Sequence, residues 1–196
     1  MRKLAVLLGG ALALAACSNT PPAAPPAPPV DLSNPLMAPG YLAQAASSDQ
    51  FEIQSGQLAL QASQNVAVRN FANMIIADHT RSTQMLTAAA QSAGVPVPPP
   101  TLLPPQQAML DQLRSAGAGP AFDAAFKDAQ INAHQQALAL HQNYATGGDV
   151  PALRATAGQI VPVVQTHLQQ AQMLNLAPPA PPPPAPPPPG RSGERG

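Results

Sequence analysis

Proline constrains this chain more than any other residue. Its 27 prolines crowd into the stretches from Pro21 to Pro39 and from Pro178 to Pro189, with a third group from Pro96 to Pro105. Proline has no N–H to give and its ring clashes with the preceding turn, so a helix interior or a central strand rejects it. The two terminal stretches therefore read as extended polyproline II, rising about 3.1 Å per residue. A folded unit must lie between them, over residues 39–176, and about 140 residues is enough for a single core.

That interval reads as helix throughout. Helix A runs from Pro39 to Ser63, with proline tolerated in its first turn. Asn65 caps helix B, which continues to Ala93 and stops at Gly94. A short helix over residues 106–116 follows the central prolines. Helix C spans Pro120 to Thr146, where Gly147 and Gly148 break it. Helix D starts near Pro151, with Asp149 as its cap, and ends near Leu176; Pro162 inside it predicts a kink. Runs of β-branched residues with alternating polarity are missing, so a sheet has no support. Four long amphipathic helices with short A–B and C–D turns predict an all-α antiparallel bundle, with an extra short helix and Pro-rich ends.

The N-terminus carries an address. Met1, Arg2 and Lys3 form a positive start, and Leu4 to Leu14 an apolar run too short to cross about 30 Å of hydrocarbon but right for a secretion signal. The run ends in Leu14-Ala15-Ala16-Cys17, the pattern of a lipoprotein signal cleaved before a lipidated cysteine. Residues 1–16 are thus expected to be a signal, Cys17 the lipidated first residue, and 17–38 a spacer off the membrane. Ser18 resembles the signal for passage to the outer membrane, facing the periplasm. Cys17 is the single cysteine, which rules out an internal disulfide framework. Without Arg2 and Lys3 the net charge falls to about minus two, and a nucleic-acid partner, which needs a basic face, is excluded. The partners expected are the membrane, through Cys17, and an envelope protein or the cell wall. Residues 177–196 read as a Pro-rich tail.

Side-chain directions at 100° per residue locate candidate chemistry. In helix A, Ser47, Gln50, Gln54, Gln57 and Gln61 form a polar stripe expected to face water, and Glu52 lies opposite it among Phe51, Ile53, Leu58 and Leu60. His79 sits in the middle of helix B's apolar face. His167 shares a face with Leu153, Ile160 and Val164, while His134 lies on the flank of helix C with Asp123, Gln130 and His141. Counted from the turns at 1.5 Å per residue, Glu52, His79 and His134 lie near mid-height, with His167 offset by about a turn. A structural role predicts instead that each histidine is satisfied by a polar partner, with Glu52 pairing His79. Asp78 reads as a surface or inter-helix ion pair three residues before Arg81. His134 and Asp123 are too far apart along their helix to pair, and His134 and His141 too far to share an ion. The serines read as surface or linker residues, so no catalytic triad is nominated.

Phe51-Glu52, the run from Arg69 to Asp78-His79, Phe122-Asp123 with His134, and Ile160-Val161-Pro162 with His167-Leu168 resemble the bacterial domain of unknown function 4142 family, across Tyr41 to Leu174. The resemblance implies an exported protein with a ferritin-like bundle. Ferritin-like di-iron sites use a Glu three residues before each His on two helices; here those positions are Ile76 and Val164, which argues against a di-iron centre. Glu52, His79, His134 and His167 would instead suit one Zn, Cu, Ni or Fe ion, for which imidazole is a favoured donor. Asp78 and Asp123 would then be supporting or structural residues. Two functions follow. The first is a non-enzymatic envelope protein with an interaction or stress-related role; the alternative is a mononuclear transition-metal-binding or redox protein.

Overall fold

The computed structural model describes residues 31–177. The expected signal, Cys17, most of the first Pro-rich stretch and the tail from 178 onward lie outside the described residues. Five helices, α1 (Ala38–Ala62), α2 (Val66–Ser92), α3 (Pro104–Ser115), α4 (Pro120–Gly147) and α5 (Pro151–Gln172), account for the domain. Among the described residues there is no strand and no helix long and apolar enough to cross a membrane.

The helix ends follow local chemistry. Asn65 accepts from the N–H groups of Ala67 and Val68 and starts α2. At its other end Gly94 takes φ 68°, and the Val95 N–H returns to the Ala90 carbonyl at 2.9 Å, a left-handed stop that glycine adopts without strain. Arg69 donates to the carbonyls of Leu60 and Ser63 and so serves the open C-terminal end of α1, where a cation is favoured. Lys127 does the same for Leu174 at 3.0 Å, and Arg154 for Gly148 at 2.7 Å.

Several boundaries and faces differ from expectation. α3 starts at Pro104, because prolines fit a first helical turn. Gly147 stays helical and the break falls at Gly148, whose missing Cβ leaves room for the Tyr144 ring. Asp149 does not cap α5. The cap position is Val150, and Asp149 accepts from the Tyr144 hydroxyl at 2.8 Å. α5 runs on through Pro162 and ends at Gln172, four residues before Leu176, where the chain leaves the helix and buries Leu174. The polar stripe of α1 does not all face water: Gln57 and Gln61 do, but Ser47 is buried. α3 and the loop before it cover Ser47, which accepts the Leu103 N–H at 2.7 Å and bonds Gln106.

The pairing of elements is a ring, α1 with α2, α2 with α5, α5 with α4 and α4 with α1. Each neighbour is antiparallel: the start of α2 meets the end of α5 through Asn65 and Asn175, and the start of α1 meets the end of α4 through Tyr41 and Tyr144. Two apolar clusters fill the bundle. One contains Phe51, Phe71, Ile75, Phe122, Phe126 and Ala133, the other Tyr41, Ala45, Leu86, Ala137, Tyr144 and Val164. On every long helix the changeover between clusters falls at one level, near residues 48, 80, 135 and 167. The core is therefore divided by a polar layer at mid-height.

Candidate metal centre

The layer contains His79, His134 and His167, all buried, and one ligand-capable atom from each lies within 4.8 Å of the other two. The helical positions explain the convergence. α2, α4 and α5 each present one histidine at the changeover between apolar clusters, facing the bundle interior. The turn of offset expected for His167 is not an obstacle: its ring centroid stands 5.5 Å from that of His79 and 5.4 Å from that of His134. His134 is wholly inside rather than on a flank, in a stripe with Gln130 and His141 that is buried along its length.

Each ring has one nitrogen already engaged. His79 Nδ1 is 2.8 Å from the Asp49 carboxylate, His134 Nδ1 is 2.8 Å from the Gln130 backbone carbonyl, and His167 Nε2 is 2.9 Å from the Asp78 carboxylate. A carbonyl or carboxylate accepts, so those nitrogens carry the protons. The free lone pairs are then Nε2 of His79, Nε2 of His134 and Nδ1 of His167. The first two face each other at 3.5 Å, and the third is buried with no hydrogen-bond partner. An outward N–H held by a carboxylate or carbonyl, with the other nitrogen turned inward, is the arrangement that orients imidazoles toward a metal. The donor set fits a single transition-metal ion, since imidazole suits Zn, Cu, Ni and Fe.

The electrostatics of the layer belong together. For His79, burial is the largest single influence and disfavours charge, but the hydrogen bond and charge of Asp49, joined by Glu52 and Asp78, outweigh it and the pKa rises. Burial, then the charge of His79, pushes His134 down to about 3, and the same two causes lower His167. The carboxylates around His79 thus favour its charged form, while burial disfavours that form on His134 and His167. Burial raises Glu52 to about 7 against the opposing charge of His79.

The other anticipated residues are placed as follows. Glu52 is buried in the layer with neither oxygen hydrogen-bonded, 3.5 Å from His134 Nδ1, the side away from the convergent lone pairs. It does not pair His79; Asp49 does, because Asp49 reaches that ring from one turn nearer the start of α1. Thr83 gives its hydroxyl to the second oxygen of Asp49 at 2.9 Å. Of the two alternatives for Asp78, a surface or an inter-helix pair, the structure shows the inter-helix one, with His167, since α5 packs beside it. His141 is apart from the trio, bonded to the Tyr41 hydroxyl at 2.9 Å, and burial lowers its pKa to about 4. Asp123 sits in the first turn of α4, buried, with Oδ1 unpartnered. Serines are not confined to the surface: Ser47, Ser48, Ser55 and Ser82 are buried, and Ser55 accepts the Gln130 amide at 3.0 Å. Asp49 was missed by sequence reasoning. The signal was its spacing, since three residues before Glu52 places both carboxylates on one face of α1.

A four-helix bundle with three inward histidines at one level, each fixed by a partner behind it, defines a helical protein organised around a buried polar centre. The chain belongs to the family named Domain of unknown function (DUF4142), whose model matches residues 21–174. The fold is shared with solved structures, two forms of CopM among them. CopM in the Cu(II)-bound form is 22% identical with a TM-score of 0.58, covering 70% of this chain and 94% of that one. CopM in the Ag-bound form, obtained by co-crystallization, is 22% identical with a TM-score of 0.56, covering 70% and 93%. No curated protein sequence matches the chain significantly.

Proposed function

We propose that this protein binds one transition-metal ion, copper before others, between His79, His134 and His167, and does so from the cell envelope, held on the outer membrane through lipid on Cys17. The observation that carries the metal reading is the set of engaged nitrogens: Asp49, the Gln130 carbonyl and Asp78 hold the three rings so that their free lone pairs converge. The fold shared with CopM, solved with Cu(II) and with Ag, supports copper as the first candidate. Three buried nitrogen donors in one cluster favour metal binding over the interaction role that the anchor and Pro-rich arms suggested. The carboxylates of Asp49 and Asp78 stand behind two of the three rings, which offsets part of the cost of burying a cation.

The test is metal content. Protein purified without an affinity tag and titrated with Cu(II) should take up about one equivalent, as a three-ligand mononuclear site requires. His79→Ala with His167→Ala should abolish uptake. Wild-type protein that takes up no Cu(II), Zn(II) or Ni(II) would overturn the proposal.

A further inference from the structure

The three histidines differ in what stands behind them. The partners of His79 and His134 are interior groups, whereas His167 hangs on Asp78, whose side chain is 40% exposed. Asp78 marks the meeting point of two cavities along the α2–α5 seam. One, of about 310 Å³, is lined by Met74, Asp78, Pro162, Val163, Thr166 and His167 itself. The other, of about 340 Å³, shares Asp78 and Val163 and extends to Arg81, Ser82 and Met85. Ser82 is buried to 7% exposure and its hydroxyl has no hydrogen-bond partner.

A cation moving from water to a buried site must exchange water for protein donors in stages, because a bare charge in a low-dielectric interior is costly. The seam offers such a sequence: a half-exposed carboxylate at the mouth, a thioether at the wall, then a histidine that belongs to the cluster. Thioethers suit soft ions such as Cu(I). Arg81 would repel a cation on the Ser82 side, so the Met74 side, where His167 is reached directly, is the favoured route.

We propose that the α2–α5 seam is the port through which the metal ion reaches and leaves the three-histidine cluster, with Asp78 as its positioning residue, drawing in the cation and holding His167 in the required tautomer. This rests on metal binding at the cluster as proposed above. The port sets exchange rates, while the three histidines set affinity.

Stopped-flow mixing of the full chain with Cu(II), followed by quenching of tyrosine fluorescence, gives association. Displacement by excess EDTA gives release. Val163→Trp, at a site where both cavities meet, should slow association and release alike by about tenfold while Kd stays within about twofold, because a blocked path changes rates without changing the bound state. Asp78→Asn keeps an acceptor for His167 but removes the charge, so association should slow and lose most of its dependence on ionic strength. Ala125→Trp, filling the separate cavity between α3 and α4, should leave both rates as in wild type. If wild-type protein takes up no Cu(II), the metal reading and the port fall together. If Cu(II) binds and both Val163→Trp, folded by circular dichroism, and Asp78→Asn exchange it at wild-type rates, the port alone is overturned.

Discussion

At the scale of residues, the centre is governed by two carboxylates that one turn of α1 places side by side and that do different work. Asp49 is hydrogen-bonded to His79 and Thr83, and it favours the charged form of His79, whose Nε2 proton a metal would have to displace. Uptake at His79 therefore competes with protonation. Affinity should rise with pH until the raised pKa of His79 is passed and level off beyond it. Asp49→Asn should move that rise to lower pH and weaken the pH-independent affinity by about 10- to 100-fold, the usual cost of losing a partner behind a ligand. Chelator competition from pH 6 to 9 measures both, and an unshifted profile would contradict the assignment. Glu52 has no hydrogen bond, and burial raises it to about 7 from 4.5. A folded-state pKa above the unfolded one gives stability that is complete below 4.5 and is lost as pH climbs through about 7, at up to about 1.4 kcal/mol per pH unit. Glu52→Gln removes that loss. Its stability advantage over wild type in metal-free urea unfolding should be larger at pH 7.5 than at pH 5, and an equal difference at both values would mean the carboxyl is not titrating in this range.

At the scale of elements, helices were legible because their signals are local. Asn65, Gly94, Gly148 and the prolines at first turns mark ends by chemistry that acts within a few residues. The inward direction of Glu52, His79 and His167 followed equally from helical period. What could not be read was which partner stands across from each side chain. That Asp78 would take an ion pair could be read along α2, but His167 as its partner is reached only when α5 is packed beside α2. Ser47 looked exposed on its own helix because the cover over it comes from α3, about sixty residues on. Close approach between α1 and α2 makes a prediction of its own. A Cβ on Gly56 would stand 2.8 Å from Ile76 Cγ1 and 3.1 Å from the Ala72 carbonyl. Alanine ordinarily improves a helix interior over glycine by about 1 kcal/mol. Here Gly56→Ala should instead destabilise by about 1–3 kcal/mol, since the backbone of α2 has to yield. Equilibrium denaturation should show a lower midpoint with unchanged slope, and a stabilised variant would mean the helices can separate freely.

At the scale of the whole molecule, the polar layer separates two apolar clusters that could each hold only part of the bundle, and the metal reading gives that division a consequence for stability. Without an ion the layer contains Glu52, the Gln130 side-chain carbonyl and His167 Nδ1 buried and unpartnered, groups that cost about 1–3 kcal/mol each. α2, α4 and α5 meet there through three rings, with Nε2 of His79 and Nε2 of His134 lying 3.5 Å apart. An ion held by all three would tie those helices together at the level between the two apolar clusters and stabilise only the folded state. At a free concentration one hundred times Kd the gain is about 2.7 kcal/mol, which for a domain of this size corresponds to a rise of about 5–10 °C in melting temperature. The double variant His79→Ala with His167→Ala should melt lower than metal-free wild type, because it leaves cavities, and its melting temperature should not respond to Cu(II). Hydrogen exchange separates this from adventitious surface binding. Protection should increase in the middle of α2, α4 and α5 together, around residues 79, 134 and 167, and much less at the distal ends of the bundle. An increase confined to one helix, or a melting shift that the double variant retains, would show that the ion is held elsewhere.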